Sequence, residues 1–414
     1  MTAEVAIMNT KGIALAADSA VTLGGSGKIY NSADKLFALS KYHPVGIMIY
    51  GSGRVMDIDW ETIIKSYRDF LGNKFFDKLT DYEGDFINYL VKFPYYTEDQ
   101  KLDYFKSRCS EVFSNVMNWF LDDIHVEFDG KEDIELSQIE NAFDTTLKNI
   151  KEKITGWDDE KHIKLDVDFI DSNRKAIDEV TDYFFEDFHL TENQKNELIS
   201  ILKIESQKCG WVEDYSGIVI AGFGEREIFP AVCEFKISGI LGNSLIYFGR
   251  HIRQIGGDLI SSICPFSQVD IVYQFAKGIA PDFYTAILEK VDKILTSLTP
   301  LMNDPDGNKT DAITKLLTEY IDNFMDINYK DPILDIVSGM QKNELVSMAE
   351  AMVNLTALKR HVSDDEESVG GPIDVALITK GDGFIWIKKK TNYDPQLNRG
   401  LNQNYFRSGR NENL

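Results

Sequence analysis

The stretch that most constrains the fold is the N-terminal segment, MTAEVAIMNTKGIALAADSAVTLGGSGKIYNSADKLFALSKYHPVGIMIYGSG. Ala3, Val5 and Ile7 alternate with Glu4, Ala6 and Met8, and this period of two predicts a half-buried strand. Asn9-Thr10-Lys11-Gly12 is turn chemistry, and Ile13 to Ala17 returns as a mostly buried strand, so the pair reads as a hairpin. Thr22 to Gly27 is Gly-rich and irregular. Strand-like runs at 35–39 and 45–50 flank a second turn, Lys41-Tyr42-His43-Pro44, and complete an antiparallel meander over 1–53.

At residue 54 the period changes. Trp60, Ile63, Ile64, Tyr67, Phe70 and Leu71 recur at helical spacing, with Gly72 placed to end the helix. Two further helical faces run from Phe105 through Cys109, Val112 and Phe113 to Phe120, and from Leu136 through Phe143 and Leu147 to Ile154. A Thr191-x-x-Gln194 capping box opens another helix over about 191–204. Residues 54–212 therefore read as an acidic helical insertion or cap. Strand character resumes at 217–222 and 231–235, helices are expected at 266–277, 282–298, 311–326 and 343–361, and 302–311 reads as a loop. In 343–361, Leu345, Met348, Met352 and Leu355 make one face. A last strand at 373–378 turns through Gly381-Asp382-Gly383 into Phe384 to Ile387, and a polar tail follows from 391. Strands, helices, strands, helices and strands in that order fit an α+β sandwich better than alternating βαβ units. The resulting division is 1–53, the insertion 54–212, the remainder of the core 213–390 with an inserted loop and helix at about 299–340, and the tail 391–414.

Composition narrows the function classes. The 414 residues are 43% hydrophobic and 12% aromatic, enough for a sizeable core. The 67 acidic against 44 basic residues give a net charge of -23, which argues against a phosphate-binding surface for nucleic acid. Cys109, Cys209, Cys233 and Cys264 are widely spaced, with no C-x-x-C pair, as expected of reduced thiols; Cys109 falls on an apolar helix face. No basic segment followed by an apolar one marks an export signal, and no run is long enough to span a bilayer. The expectation is a soluble cytoplasmic protein with no membrane or nucleic-acid partner.

Several familiar sites fail on their own chemistry. Gly24-Gly25-Ser26-Gly27-Lys28 has Thr22 where a Walker A loop needs Gly, and Ile29 where it needs Ser or Thr. Around Asp304, Asp306 and Gly307, a calcium loop would need ligands where Met302 and Ile313 stand. There is no H-E-x-x-H and no G-x-S-x-G, and the six histidines sit in unrelated contexts. No metal and no cofactor is expected.

What remains is an ordered set: Thr2, Ala17-Asp18-Ser19 with Ala20 to Gly24, Asp34-Lys35-Leu36-Phe37 and Tyr50-Gly51-Ser52-Gly53. Singly these are an ordinary second residue, a turn, a solvated lysine and a strand end. Together they resemble the proteasome β-subunit family of N-terminal-nucleophile (Ntn) hydrolases, with the bacterial HslV peptidase a close second. Gly370-Gly371-Pro372 to Thr379 and Asp382-Gly383 resemble that family's closing strands, and Ile220 to Gly222 with Phe229 to Phe235 its central hairpin. The resemblance covers about half the chain.

It implies a four-layer αββα Ntn-hydrolase sandwich with a large helical insertion after the fourth strand. It also implies a threonine peptidase or amidase acting on peptide or protein through Thr2 once Met1 is removed. A threonine hydroxyl needs a base, and a free α-amine of pKa roughly 7.7–8.0 on the same residue can serve. By the resemblance, Lys35 disfavours protonation of that amine, Asp18 holds Lys35, and the Gly51 N–H binds the oxyanion. Lys28 is the fallback lysine. Glu366 stands where the family has an acid and Ser368 lies one residue before its serine position, while Val21 and Ile49 would wall the first specificity pocket. No pro-segment beyond Met1 is expected, which is closer to the HslV pattern. Ring-forming homo-oligomers are implied, and so is a separate ATPase unfoldase where unfolding is needed. The alternative is a catalytically inactive proteasome-like scaffold or partner-binding subunit.

Overall fold

The computed structural model describes residues 2–22, 28–128, 135–158, 160, 163–186, 188, 190–298, 308–363 and 369–391. The first strands are β1 (Ala3–Asn9), β2 (Gly12–Ala17), the short β3 (Val21–Thr22) and β4 (Ile29–Tyr30), then β5 (Leu36–Ala38) and β6 (Val45–Gly51). Next come β7 (Arg54–Val55), β8 (Ile58–Asp59), α1 (Trp60–Leu71), α2 (Leu79–Val91), α3 (Glu98–Glu127) and α4 (Leu136–Thr155). Helices α5 (Val167–Ser172), α6 (Arg174–Phe184) and α7 (Glu192–Lys208) precede strands β9 (Ser216–Gly222), β10 (Ala231–Leu241), β11 (Ser244–Gln254) and β12 (Ser261–Ser267). Helices α8 (Asp270–Lys277), α9 (Pro281–Leu298), α10 (Asn308–Met325), α11 (Asp331–Gly339) and α12 (Lys342–His361) lead to strands β13 (Asp374–Thr379) and β14 (Gly383–Lys388). The class is α+β: antiparallel pairs in the sheets, helical layers, and seven consecutive helices, α1 to α7, between β8 and β9.

The chain divides into two compact units. The first holds Met1–Tyr50, Ala221–Val232 and Gln254–Leu414, and the second Gly51–Ile220 and Cys233–Arg253. In the first unit a five-stranded sheet runs β12-β1-β2-β13-β14, with β1 antiparallel to both β12 and β2. One face carries Val5, Ile7, Ala14 and Ala16 against Val337 of α11 and Leu345, Ala349 and Val353 of α12. On the other face, Leu15, Ile378 and Phe384 press so closely on Gly46 of β6 that a Cβ there would lie within 3.2 Å of all three. Helices, sheet and the β5–β6 pair thus form successive layers, and each buried aliphatic side chain contributes roughly 1.5–3 kcal/mol.

This layering corrects the expectation for β1. All seven of its residues are buried rather than every second one, because both faces are covered. Six strands were not anticipated: the two-residue β3, β4, β7 and β8, and the longer β11 and β12. Residues 266–267 end β12 and the helix begins only at Asp270, while the expected loop at 302–311 already contains the start of α10 at Asn308.

The second unit is built on α3, a helix of thirty residues opened by a Thr97/Gln100 capping box. Phe105, Cys109, Val112, Phe113, Val116 and Phe120 of α3 pack with Phe143, Leu147 and Ile150 of α4 and with Leu198, Ile201 and Leu202 of α7. Leu241 and Ile246 of the β10–β11 hairpin join the same core. Phe70 and, in the first unit, Leu355 lie on the edges of their helical stripes and are exposed. The capping box predicted for α7 is present, with Thr191 Oγ1 accepting from the Gln194 N–H at 3.3 Å and Gln194 Oε1 accepting from the Thr191 N–H at 2.9 Å.

Candidate functional site

Thr2 directly precedes β1, and its carbonyl accepts the Gln268 N–H at 3.2 Å. The chain leaves β2 at Ala17, which places Asp18 across from the start of β1. The Ala3 N–H donates to Asp18 Oδ1 at 3.1 Å, and the Asp18 N–H returns a bond to the Ala3 carbonyl at 3.1 Å. Lys35 comes from the segment that enters β5. Its Nζ lies 2.6 Å from Asp18 Oδ1, with both side chains almost wholly buried. Its carbonyl accepts from the Ile49 N–H at 2.9 Å, so β6 fixes the lysine backbone.

The second carboxylate oxygen of Asp18 accepts the Ala20 N–H at 3.2 Å and the Gly370 N–H at 3.0 Å. The Gly-Gly-Pro segment before β13 docks on the following residue as well: the Ser19 N–H donates to the Gly370 carbonyl, and Ser19 Oγ to the Pro372 carbonyl at 2.5 Å. Gly371 has φ of +77°, and a Cβ there would meet Asn31 at 2.9 Å, so this approach needs glycine. An ion pair buried this deeply carries a desolvation cost of several kcal/mol, offset only when its remaining valences are filled. Asp18 meets that condition with three backbone donors and one ammonium.

Of the residues singled out in the sequence, the structure brings together Thr2, Asp18 and Lys35. Thr2 is 4% exposed and joins the pair through the backbone of its neighbour Ala3. Lys28, the fallback lysine, is exposed. Ile49 is buried in β6, and Val21 is half-buried in β3 opposite Tyr30. Glu366 and Ser368 lie outside the described residues. Gly51 belongs to the second unit, where it ends β6 with φ of +76°, and a Cβ on it would stand 2.5 Å from the Tyr215 carbonyl. Among the described residues no group of three or more His, Cys, Asp or Glu could hold a metal ion.

Comparison with known proteins corrects the family expectation. No protein-family model and no curated protein matches the sequence. Similar solved structures include Anbu proteins. Anbu (ancestral beta-subunit) from Yersinia bercovieri is 9% identical with a TM-score of 0.28, covering 98% of this chain and 94% of that one. Anbu from Hyphomicrobium sp. strain MC1 is 9% identical at 0.28, covering 98% and 97%. The helical assembly of the Anbu complex from Pseudomonas aeruginosa is 10% identical at 0.29, covering 98% and 94%. These proteins form a family distinct from HslV, so the resemblance to proteasome β-subunits and HslV does not stand. The physical reason is that Thr2, Asp18, Lys35 and the glycines are short local motifs, and motifs of that length do not tell one family from another. At this level of similarity the likeness carries no argument about activity.

Cys109, Cys209, Cys233 and Cys264 are all buried. Burial pushes the thiols of Cys109 and Cys209 up to about 12, the behaviour of packing residues and not of nucleophiles. Among the described residues no helix is long and apolar enough to cross a membrane.

Proposed function

We propose that the chain is an N-terminal threonine amide hydrolase. Its Thr2, freed by removal of Met1, would attack the carbonyl of a peptide or amide bond. The observation that carries this reading is the buried Asp18–Lys35 pair joined through one carboxylate to the backbone of residue 3. An ammonium this close to the N-terminus favours a neutral α-amine there, and a neutral amine can take the proton of the Thr2 hydroxyl. Thr2 Oγ1 then forms an ester with the acyl group, the protonated amine passes its proton to the leaving nitrogen, and water hydrolyses the ester. In this reading Glu366 and Ser368 support the nucleophile, and Val21 and Ile49 select apolar side chains.

The test is mass labelling with an electrophilic peptide, preceded by intact-mass measurement of the N-terminus. The expected result is loss of Met1 and one adduct on Thr2 that is absent in Thr2→Ala. Equal labelling of both proteins, or of neither, removes the reading.

A second reading, a catalytically silent scaffold that associates with copies of itself or with partners, is favoured by the face of α10. There Ile313, Leu316, Tyr320 and Phe324 are exposed at spacings of a helical stripe. Sedimentation of wild type against Leu316→Glu/Tyr320→Glu separates assembly through this face from a monomer.

A further inference from the structure

Next to the Asp18–Lys35 pair, the first unit contains a second charged cluster that the proposed chemistry does not use. Lys389 and Lys390 follow β14, Asp34 precedes Lys35, and Asp374 opens β13. Lys390 Nζ lies 2.5 Å from Asp374 Oδ2 and 3.2 Å from Asp34 Oδ1. Lys389 Nζ lies 2.9 Å from Asp34 Oδ1 and 3.4 Å from Asp374 Oδ2. The Lys390 N–H also donates to Asp374 Oδ1 at 2.7 Å. The Lys390 side chain is 5% exposed and that of Asp374 1%, so this end of the cluster is buried, while Lys389 and Asp34 at the other end are partly exposed at 30% and 17%.

Two lysines against two aspartates are neutral together, so the cluster adds little field of its own. What it does is connect. Asp34 is the chain neighbour of Lys35. Asp374 is the register partner of Ala17, the chain neighbour of Asp18. The lysine pair therefore grips, at one residue's remove, the backbone on both sides of the Asp18–Lys35 pair.

We propose that Lys389 and Lys390 are positioning residues, which clamp Asp34 to Asp374 and so hold the Lys35 ammonium on Asp18. This rests on the hydrolase reading for its catalytic meaning, but the placement of Lys35 is measurable without any activity. Burial alone would raise the Asp34 carboxyl, yet the hydrogen bond from Lys389 and the charges of both lysines hold it below the ordinary value, as a clamp made of ionised partners requires. A strut that sets Lys35 to within a fraction of an ångström matters because misplacing a reacting group by about 1 Å costs up to roughly a hundredfold in rate.

The test is brief acetylation of the native full-length protein with acetic anhydride, reading Lys35 by peptide mass spectrometry. It is run beside electrophile labelling of Thr2. Lys390→Met is expected to raise Lys35 acetylation about tenfold, as local opening becomes easier. Lys390→Arg, which can still reach both carboxylates, restores protection. Lys388→Met removes only the exposed pair with Glu350 and leaves Lys35 protected. Asp34→Asn, at the more exposed end of the cluster, is the variant to use if Lys390→Met does not fold. Unchanged Lys35 acetylation in a folded Lys390→Met or Asp34→Asn protein overturns the proposal, and so does an equal rise in Lys388→Met. If wild type fails to label at Thr2 while Lys390→Met still uncovers Lys35, the hydrolase reading falls and the clamp stands. The reverse pattern removes the clamp alone.

Discussion

Each unit of the molecule buries an ion pair, and the two pairs are built differently. In the first unit Lys35 meets Asp18, whose carboxylate is otherwise filled by three backbone N–H groups. In the second, Arg108 of α3 meets both Glu111 and Glu205. Those carboxylates also accept the Glu213 N–H at 2.6 Å and the Trp211 N–H at 2.9 Å, so they staple the loop before β9 to the helices. A guanidinium suits this task, because its fixed fork bonds two acceptors at once. A lysine ammonium is a compact charge on a flexible stem, suited to acting at a point. The contrast separates a charge used for architecture from one available for chemistry.

Substituting the nucleophile breaks the comparison most sharply. Thr2→Ala should lower any amide-hydrolysing rate by at least ~10³-fold with little change in stability, read by peptide turnover beside urea unfolding.

Removing the cation from each pair comes next. Arg108→Met leaves two carboxylates facing each other and should cost about 3–5 kcal/mol, visible as a lower urea midpoint. Lys35→Met leaves Asp18 with its three backbone donors, so its cost should be nearer ~1–2 kcal/mol while Thr2 labelling is lost. Equal destabilisation by the two variants would remove the distinction.

Gly51→Ala should cost about 1–3 kcal/mol, since it strains a positive φ and drives a Cβ against the Tyr215 carbonyl. Its signature is a lower urea midpoint in a protein that still melts cooperatively.

The smallest effect is a pH asymmetry. Burial raises Cys109 and Cys209 in the second unit from 9.0 to about 12. Their contribution is complete below the unfolded value and declines as pH rises through about 9 to 12. Asp34 in the first unit is lowered, so its contribution is present above the unfolded carboxyl value and declines as pH falls through the lower folded value. Trp386→Phe leaves Trp60, Trp119, Trp157 and Trp211, all in the second unit. Titration of this variant should show their fluorescence shifting as pH rises through about 9 to 12, with a smaller change as pH falls through the carboxyl range.

Much of the core was legible because its signals are local. The alternation over residues 3–17, the Gly72 and Thr191 caps and the helical stripe from Phe105 to Phe120 each depend on residues within a few positions of one another. Other elements were hidden for identifiable reasons. Strand β12 reads SSICPFS, with serines and a proline where a strand pattern needs apolar alternation. Pro265 is tolerated because β12 lies at the sheet edge, where a missing N–H breaks no further ladder. In β11, Arg250, His251 and Arg253 mask the alternation because its outer half is exposed. Arg108 stands beside Cys109 on α3, and Asp374 opens an otherwise apolar strand. Each was a charge in an apolar run and could have been flagged as buried and paired, but its partner lies far along the chain.

The sequence by itself determined many of the element types, the α+β class and the candidacy of Thr2, Asp18, Lys35 and Gly51, because hydrophobic period and turn chemistry are properties of neighbours. The tertiary structure decided which charges are buried, that Asp18 serves Ala3, Ala20, Gly370 and Lys35 together, and that Lys389 and Lys390 close on Asp34 and Asp374. Those contacts join residues up to 355 positions apart, and only packing brings such groups within the few ångströms where a charge outweighs the cost of its burial.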